Sequence, residues 1–400
     1  MAITITHEPQ MTFLPAYNPI EWVVLSDNIT EENFKYVFDI YLEGSASPDL
    51  RLKTPQRPDG YGHINVSSVI RNYISHDIAI DDSQFMRNSN SHQRFKIRFG
   101  EQYGASSGTI YPNLTDSDEV VAFNSVFSFR DWLSYDEDKY LIATSGSCFL
   151  TNAGTQYFTD DDVGDLYFIV NVSNAAKYVI IKTYREDGTL IQTAQSVNPF
   201  ASISDDDDRF LRVPCFPVNI NLLTLSSGSQ PVITSDVYRY TVQIADSSLN
   251  ATSEEKTFVR RDLCGDTFRL LWVNSLGGVD AYTFNSFRTV INDVERESYT
   301  RKRGTINGSG VIVYDTAEAG VRHTAVSNVE KWTLRSGILT EEESDFLKGI
   351  VLSPAVYIVA DGYLVPVTVQ DTSYQTRRYH TDRAFSVEFT IIFERETMNA

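Results

Sequence analysis

The chain has little cysteine, little histidine and few positive charges. Its 400 residues include three cysteines and six histidines, and 34 lysines and arginines stand against 53 acids, which gives a net charge of −19. The cysteines are too few and too widely spaced for a disulfide framework, and none belongs to a Cys-x-x-Cys pair. The shortage of positive charge leaves no broad basic face for nucleic-acid phosphates or anionic lipid, so we expect no sequence-independent DNA binding.

Long apolar runs are absent as well. No stretch approaches the roughly 18 unbroken apolar residues of a membrane span. The first ten residues carry neither the cationic nor the apolar region of a signal peptide. We therefore expect no membrane partner, and a protein that stays in the cytoplasm or leaves it by a route that reads no signal.

Apolar and aromatic residues are present in short alternating runs. Apolar residues make up 42% of the chain, as in core-forming proteins, and tyrosine and phenylalanine supply 45 of the 49 aromatics. Alternating runs of this kind favour strands over helices. The sequence therefore predicts a mainly β fold, with two or three β-sandwich-like domains and a few short helices.

The first predicted domain covers residues 1–130 and is β-rich. An alternating strand at 34–42, expected to bury one face, is followed by a short amphipathic helix at 65–75 with Asn65 as its N-cap. Another alternating strand lies at 95–99.

The second predicted domain covers residues 131–265, and its strand order resembles that of the first. Three segments are echoed: Lys-Tyr-Val at 35–37 and 177–179, Ile-Asn-Val at 64–66 and Val-Asn-Ile at 218–220, and Phe-Lys-Ile-Arg-Phe at 95–99 and Tyr-Thr-Val-Gln-Ile at 240–244. We interpret the echoes as an internal duplication, with chance matching of β-rich sequence as the alternative. The domain also contains a predicted hairpin turn in which Asp187 and Gly188 supply positive φ angles.

The third predicted domain covers residues 266–400 and is again β-rich. A strand at 268–273 leads into a tight turn at Gly277 and Gly278. The best helix of the chain is predicted at 341–351, because Thr340 and Glu343 match a capping box and Pro354 follows.

No catalytic or metal-binding pattern stands out. Residues 104–108 match the Gly-x-Ser-x-Gly letters of a hydrolase nucleophile around Ser106, but strand or loop follows where a helix is required. The histidines show no zinc-ligand spacing. Acidic runs at 160–165 and 205–208 lack EF-hand spacing, and we interpret them as solvated turns, with cation binding as the alternative. We expect no catalytic, cofactor-binding or metal-binding residue.

Two basic clusters stand out on the acidic background, and both lie in polar segments beside strands. One interpretation is a solvated loop, and the other is a cationic patch that docks onto an acidic surface of a neighbouring subunit. The candidate subunit-docking residues are Arg301, Lys302, Arg303, Arg377 and Arg378.

Several segments together carry a resemblance to a known class of proteins. They are Asn-Pro-Ile at 18–20, Arg-Pro-Asp-Gly-Tyr-Gly at 57–62, Leu-Trp-Val-Asn-Ser-Leu-Gly-Gly-Val-Asp at 271–280, Trp-Thr-Leu-Arg-Ser-Gly at 332–337 and Ser-Pro-Ala-Val-Tyr-Ile at 353–358. In this order they resemble virion structural proteins of tailed phages that infect Bacteroidetes, including crAss-like phages. The resemblance implies a ring protein of the neck or tail, assembled in the host bacterial cytoplasm and located in the virion. It transfers no catalytic residue.

The sequence therefore favours a non-enzymatic subunit of a cyclic homo-oligomer, stacked on other tail, neck or portal proteins. Such an acidic ring around a DNA channel would repel the genome and let it pass, without sequence-specific binding. The rivals are a glycan- or receptor-binding module of a tail fibre or baseplate, and a glycan-degrading or peptidase enzyme. In a glycan-binding module, aromatics such as Trp22, Tyr61 and Trp132 would stack on sugar rings, although core packing is the other interpretation of these residues.

Overall fold

The computed structural model describes residues 3–80, 83–105, 109–143, 146–263, 265–285, 288–301, 304–314, 320–370, 386–394 and 396–399. Strands contain 47% of the residues and helices contain 9%, which confirms the predicted mainly β fold with a few short helices. The chain divides into two compact units. The first is Met1–Asp262 with Leu271–Ala281, and the second is Leu263–Leu270 with Tyr282–Ala400. The division into three domains at 130/131 and 265/266 stays a prediction.

The N-terminal half of the first unit folds into two sheets around an aromatic core. Its strands are β1 Ile3–His7, β2 Phe13–Pro15, β3 Glu21–Ser26, β4 Lys35–Leu42, β5 Leu50–Pro55, β6 Gly62–Asn65, β7 Met86–Arg87, β8 His92–Tyr103, β9 Thr109–Asp116 and β10 Val120–Phe123. The helices are α1 Ser67–Ile70 and α2 Phe129–Trp132. One sheet has the order β2-β10-β8-β4-β5 with β9 on β8, and the other has the order β1-β3-β6. Trp22 and Phe95, 6.1 Å apart edge to face, belong to the buried core that these strands share.

The remainder of the first unit also contains two sheets. Its strands are β11 Leu141–Ile142, β12 Gln156–Phe158, β13 Asp165–Val170, β14 Tyr178–Tyr184, β15 Leu190–Val197, β16 Phe210–Pro214, β17 Arg239–Ala245 and β18 Lys256–Arg260, with helix α3 at Pro217–Ile220. One sheet has the order β12-β18-β17-β14-β15. The other has the order β11-β13-β16-β7, so β7 from the N-terminal half completes it.

The larger sheets of the two halves of the first unit share one strand order. In the first half, β2 runs parallel to β10, and the path β10-β8-β4-β5 is antiparallel throughout. In the second half, β12 runs parallel to β18, and the path β18-β17-β14-β15 is antiparallel throughout. Two of the three sequence echoes fall on matching strands, β4 with β14 and β8 with β17, whereas the third pairs the end of β6 with α3. The strand order therefore repeats, as the duplication hypothesis requires, while a common origin of the halves stays a prediction.

The second unit is built on a long sheet and one helix. Its elements are β19 Thr267–Val273, β20 Val279–Asn285, β21 Arg288–Thr300, β22 Thr305–Ile306, β23 Ile312–Val313, β24 Val321–Arg335, α4 Glu341–Leu352, β25 Val356–Ala360, β26 Tyr363–Val369, β27 Glu388–Ile392 and β28 Glu396–Asn399. The sheet order is β20-β19-β25-β26-β27-β24-β21, with β28 on β24. The hairpin of β19 and β20 contributes its Leu271–Ala281 portion to the first unit.

The predicted helix α4 is confirmed together with its cap. The Thr340 hydroxyl accepts a hydrogen bond from the Glu343 amide at 3.1 Å, and the Glu343 carboxylate accepts one from the Thr340 amide at 2.9 Å. This reciprocal pair is a capping box. Leu347 and Ile350 form the buried face of the helix. Among the described residues, the helices are all too short or too polar to cross a membrane.

Two local expectations are corrected. Strand β4 does not bury one face only, because six consecutive residues are buried, including Asp39, whose carboxylate is held by Arg51 at 2.6 and 2.7 Å. The helix predicted at 65–75 is one α-helical turn followed by a 3-10 turn, and Val66 occupies the N-cap. Asn65 lies one residue earlier, where its side-chain oxygen accepts from the Ser67 amide at 3.1 Å.

The predicted hairpin between β14 and β15 is confirmed, with a different distribution of φ angles. Gly188 alone takes the positive value, φ +84, and Asp187 does not. The Asp187 carboxylate instead accepts from the Thr189 amide at 2.8 Å, and the Gly188 amide donates to Arg185 at 3.0 Å. A register shift at the end of β14 accommodates the extra residue.

The turn between β19 and β20 requires its two glycines for close packing. Gly277 has φ +90, and a Cβ atom there would lie 2.2 Å from the Asn124 carbonyl oxygen. A Cβ atom on Gly278 would lie 2.3 Å from the Leu150 carbonyl oxygen. Asn274 fixes the turn, because its side chain donates to that same carbonyl at 2.9 Å and accepts from the Gly278 amide at 3.1 Å. The turn therefore lies directly on both halves of the first unit.

Candidate docking surfaces

The five predicted docking residues are only partly visible in the described structure. Arg301 is exposed directly after β21, and its amide donates to the Gly320 carbonyl at 2.8 Å. The others, Lys302, Arg303, Arg377 and Arg378, lie outside the described residues. The serine of the hydrolase-like motif, Ser106, lies outside them too. Whether the basic residues form one patch stays a prediction.

Strands β21 and β24 form a long ribbon that is exposed along much of its length. All 13 residues of β21 are exposed, Val290, Ile291 and Val294 among them. Strand β21 stands at the end of the sheet order, so within the described part of the chain one of its edges has no strand partner. Its other edge pairs with β24 along the whole strand. An unpaired edge with exposed apolar side chains is a template for association with another chain.

A small hairpin with exposed apolar side chains lies between the two ribbon strands in sequence. We call residues 304–314 the tip hairpin; it contains β22, β23 and a four-residue turn. The Asn307 side chain fixes the turn by accepting hydrogen bonds from the Ser309 and Val311 amides, each at 3.0 Å. Its bulky apolar residues are all about half or more exposed: Ile306 73%, Val311 58%, Ile312 52%, Val313 49% and Tyr314 67%.

One face of the tip hairpin is continuously apolar. Ile306 lies opposite Ile312 in the ladder, and Tyr314 follows two residues later on the same face. Gly304 lies beneath them, because a Cβ atom there would be 2.7 Å from Ile312 Cγ2 and 3.1 Å from Tyr314 Cδ1. A hairpin with two residues in each strand buries too little surface to be stable alone. The apolar face therefore offers surface for a partner.

The first unit exposes a second apolar surface, around α2, that sequence reasoning missed. We call residues 126–140 the α2 platform. Phe129 is 76% exposed and Leu133 is 72% exposed, the highest values for large apolar side chains in the described part of the first unit. Ser128 caps the helix by accepting from the Asp131 amide at 3.2 Å. The i, i+4 spacing of Phe129 and Leu133 was a signal in the sequence, although it does not tell an exposed face from a buried one.

The α2 platform is held rigidly from below. Tyr135 is buried, stacks against Trp132 at 5.7 Å and donates its hydroxyl to the Phe13 carbonyl at 2.9 Å. Asn18 joins the Phe127 backbone through two hydrogen bonds of 2.9 and 2.8 Å. The chain after β10 is thus packed against the N-terminal strands. A rigid base reduces the entropy cost of docking a partner onto Phe129 and Leu133.

The acidic run at 205–208 is only partly the solvated turn that the sequence predicts, because Asp205 is exposed but two of its neighbours are not. Asp206 and Asp208 are buried. Asp206 accepts two hydrogen bonds from Arg94, both 2.6 Å, and Asp208 accepts from Arg87 at 3.0 and 2.5 Å. Burial works to raise the pKa of Asp208, but hydrogen bonds from Ser204 and Arg87 outweigh it and hold that pKa below its usual range. The carboxylates are thus used to fasten the two halves of the first unit together.

The acidic run at 160–165 is also partly structural. Asp162 is buried and accepts from the Thr159 amide at 2.9 Å and from its hydroxyl at 3.0 Å. Asp165 is buried and forms an ion pair of 3.2 Å with Arg212. Among the described residues, no three His, Cys, Asp or Glu side chains are grouped so as to hold a metal ion.

A buried carboxyl group lies just after the β19–β20 turn. Asp280 accepts a hydrogen bond from the Thr151 hydroxyl at 2.6 Å. Burial raises the pKa of Asp280 to about 6, although hydrogen bonds from Thr151 and Asn274 and the charge of Lys256 oppose the rise. Burial thus moves the pKa of this carboxyl group about two pH units above its usual value of 3.8.

The three aromatics considered for sugar stacking differ in exposure. Trp22 is fully buried in the core and is thereby excluded from sugar binding in the folded state. Trp132 is half-buried in the α2 platform. Tyr61 is half-buried and lines a cavity of about 330 Å³ whose other lining residues are Thr6, His7, Val23, Arg57 and Asp59.

No protein-family model matches the chain, and no curated protein does. Three solved structures are similar in part. The first is Dpr2 Ig1-Ig2 in complex with DIP-Theta Ig1-Ig3, with 8% identity, 82% of this chain and 95% of that chain covered, and a TM-score of 0.16. The second is a tetra-tandem repeat from the extending region of a large adhesion protein, with 10% identity, 99% of this chain and 90% of that chain covered, and a TM-score of 0.21. The third is the native conformation of E. coli alpha-2-macroglobulin, with 8% identity, 100% of this chain and 31% of that chain covered, and a TM-score of 0.21. At these scores the similarities carry no argument. The mainly β architecture itself is compatible with a structural or binding module.

Proposed function

We propose that this chain is a non-enzymatic building block of an oligomeric assembly, and that its copies form a closed ring. The observation that supports this function best is the exposed ribbon of β21 and β24 with its tip hairpin. A soluble monomer rarely leaves a long strand edge and so many bulky apolar side chains uncovered, because they favour association. Assembly with identical or other subunits covers both.

The resemblance in the sequence extends the proposal to a particular assembly. Virion proteins of Bacteroidetes-infecting tailed phages would use such a subunit as a ring in the neck or tail, next to portal or tail proteins. The net charge of −19 suits a ring around a DNA channel, because the wall would repel the genome rather than bind it.

The test of the proposed function is the mass of the purified full-length chain. Sedimentation velocity and negative-stain images at concentrations from about 1 to about 100 µM should show a closed ring, or assembly once neck or tail proteins are added. A chain that stays monomeric under all these conditions would contradict the proposal. Gold labelling of the chain in intact virions would test the phage assignment separately. Label found away from the neck and tail would contradict the proposed location but not the proposed self-assembly.

The second candidate is a glycan- or receptor-binding module, and the observation that favours it is the cavity at Tyr61. Arg57 and Asp59 supply polar groups beside the tyrosine ring, a combination that suits a sugar. A glycan array would test it with the Tyr61→Ala variant. Tyr73, an exposed tyrosine elsewhere in the first unit, gives the matched control Tyr73→Ala. Binding that is lost only in the first variant would favour this candidate over the ring.

A further inference from the structure

The α2 platform is acidic, and the segment that leads into the tip hairpin is basic. Residues 299–314, which include the tip hairpin, carry the three basic residues at 301–303 and no acid. Residues 126–140, the α2 platform, carry four acids against two basic residues. The tip hairpin itself has no charged residue, so the basic charge belongs to the preceding sequence at 301–303, whereas the α2 platform combines exposed bulky apolar groups with a net acidic charge. Apolar surfaces with opposite charge nearby are the pattern of matched protein interfaces.

We infer that the tip hairpin of one copy docks onto the α2 platform of a second copy, with Ile306, Ile312 and Tyr314 covering Phe129 and Leu133. This inference rests on the proposed self-assembly and names the surfaces that meet. The contact is heterologous, because two different surfaces of the same chain are joined. A heterologous contact generates a ring when its rotation closes, so one interface of this kind is sufficient to build the proposed assembly.

Charge favours a second copy over an anionic lipid surface as the occupant. Residues 1–281 carry 37 acids against 21 lysines and arginines, a net charge of −16, whereas residues 282–400 carry 16 against 13, a net charge of −3. Most of the net negative charge thus lies in residues 1–281, the portion that contains the α2 platform. This portion attracts the basic segment beside the tip hairpin of another copy, and it repels a membrane of anionic lipids.

The experiment uses four variants of the full chain. The tip variant is Ile306→Ser with Ile312→Ser, and its control is Val313→Ser, which changes an exposed residue on the opposite face of the same hairpin. The platform variant is Phe129→Ser, and its control is Leu190→Ser, an apolar residue of the first unit that is 51% exposed. Circular dichroism melting curves confirm that each variant is folded. Sedimentation velocity then measures self-association.

We expect the tip variant and the platform variant each to weaken self-association by at least about 30-fold, and the controls to change it by less than about threefold. The decisive sample is an equimolar mixture of the tip variant with the platform variant. One intact tip and one intact platform remain in this mixture, so it should give a heterodimer with near-native affinity that does not grow further. Association of the native chain should also weaken as the salt concentration rises.

Four outcomes would overturn the inference. If the native chain assembles and the variants assemble equally well, the contact lies elsewhere, although the proposed building-block function survives. If both variants are folded monomers but their mixture stays monomeric, the tip hairpin and the α2 platform do not meet each other. If the native chain floats with vesicles containing about one third phosphatidylglycerol and the tip variant does not, the tip hairpin binds lipid. A native chain that is monomeric under all conditions contradicts the proposed function as well.

Discussion

Replacing Asp280 by asparagine is expected to stabilise the first unit at neutral pH but not in acid. The pKa of this carboxyl group rises from 3.8 to about 6 on folding, with burial as the main cause. The folded state therefore holds a proton that the unfolded chain releases. Stability from this group is fully present below pH 3.8 and is lost as the pH rises through about 6. Two pKa units correspond to at most roughly 3 kcal/mol of unfolding free energy.

Asparagine keeps an oxygen for the 2.6 Å hydrogen bond from the Thr151 hydroxyl and removes the charge. Urea unfolding between about pH 4 and about pH 8 measures the difference between Asp280→Asn and the native chain, followed by tryptophan fluorescence. The variant should gain up to roughly 3 kcal/mol at the upper end and nothing near the lower end. Asp161→Asn, which removes a charge at an exposed position, should show no such trend. A difference that is constant with pH would refute the reasoning.

Two further substitutions test how the first unit is held together. Gly278→Ala places a methyl group 2.3 Å from a carbonyl oxygen, so we expect it to lower the free energy of unfolding by about 1–3 kcal/mol, as measured by thermal unfolding. The control Gly308→Ala has open space around it and should lower that free energy by less than about 0.5 kcal/mol. Equal losses would contradict the packing argument. Arg94→Ala leaves the buried carboxylate of Asp206 without its two closest donors and should cost about 2–3 kcal/mol in urea unfolding. The control Arg57→Ala removes a solvent-exposed ion pair and should lower the free energy of unfolding by less than about 1 kcal/mol. A similar loss for both variants would contradict the idea that Arg94 and Asp206 hold the two halves of the first unit together.

Features specified by neighbouring residues could be predicted from the sequence. The cap of α4 depends on Thr340 and Glu343, three positions apart, and both hydrogen bonds are present. The hairpin at Gly188 depends on one glycine between two alternating runs. The echoes at β4 and β8 fall on strands that occupy corresponding places in the two larger sheets, although β8 has 12 residues and β17 has seven.

Features specified by distant residues could not be predicted. The run at 205–208 looks solvated in the sequence, because its arginine partners Arg87 and Arg94 are more than 100 positions away. Strand β4 looks half-exposed, because Asp39 is polar, yet Arg51 on the neighbouring strand satisfies it in the core. The exposed faces of the tip hairpin and the α2 platform share the composition of core segments. Only the three-dimensional structure shows that nothing in the described part of the chain covers them.

The chain alternates between the two units, and this has a consequence for biosynthesis. Leu263–Leu270 belongs to the second unit, yet Leu271–Ala281 returns to the first. A nascent chain on the ribosome therefore cannot complete its first unit when residue 262 emerges. The turn that lies on Asn124 and Leu150 arrives later, and until then these backbone carbonyls lack the glycines that fit against them. Translation must therefore reach residue 281, beyond the first strand of the second unit's sheet, before the N-terminal portion can close.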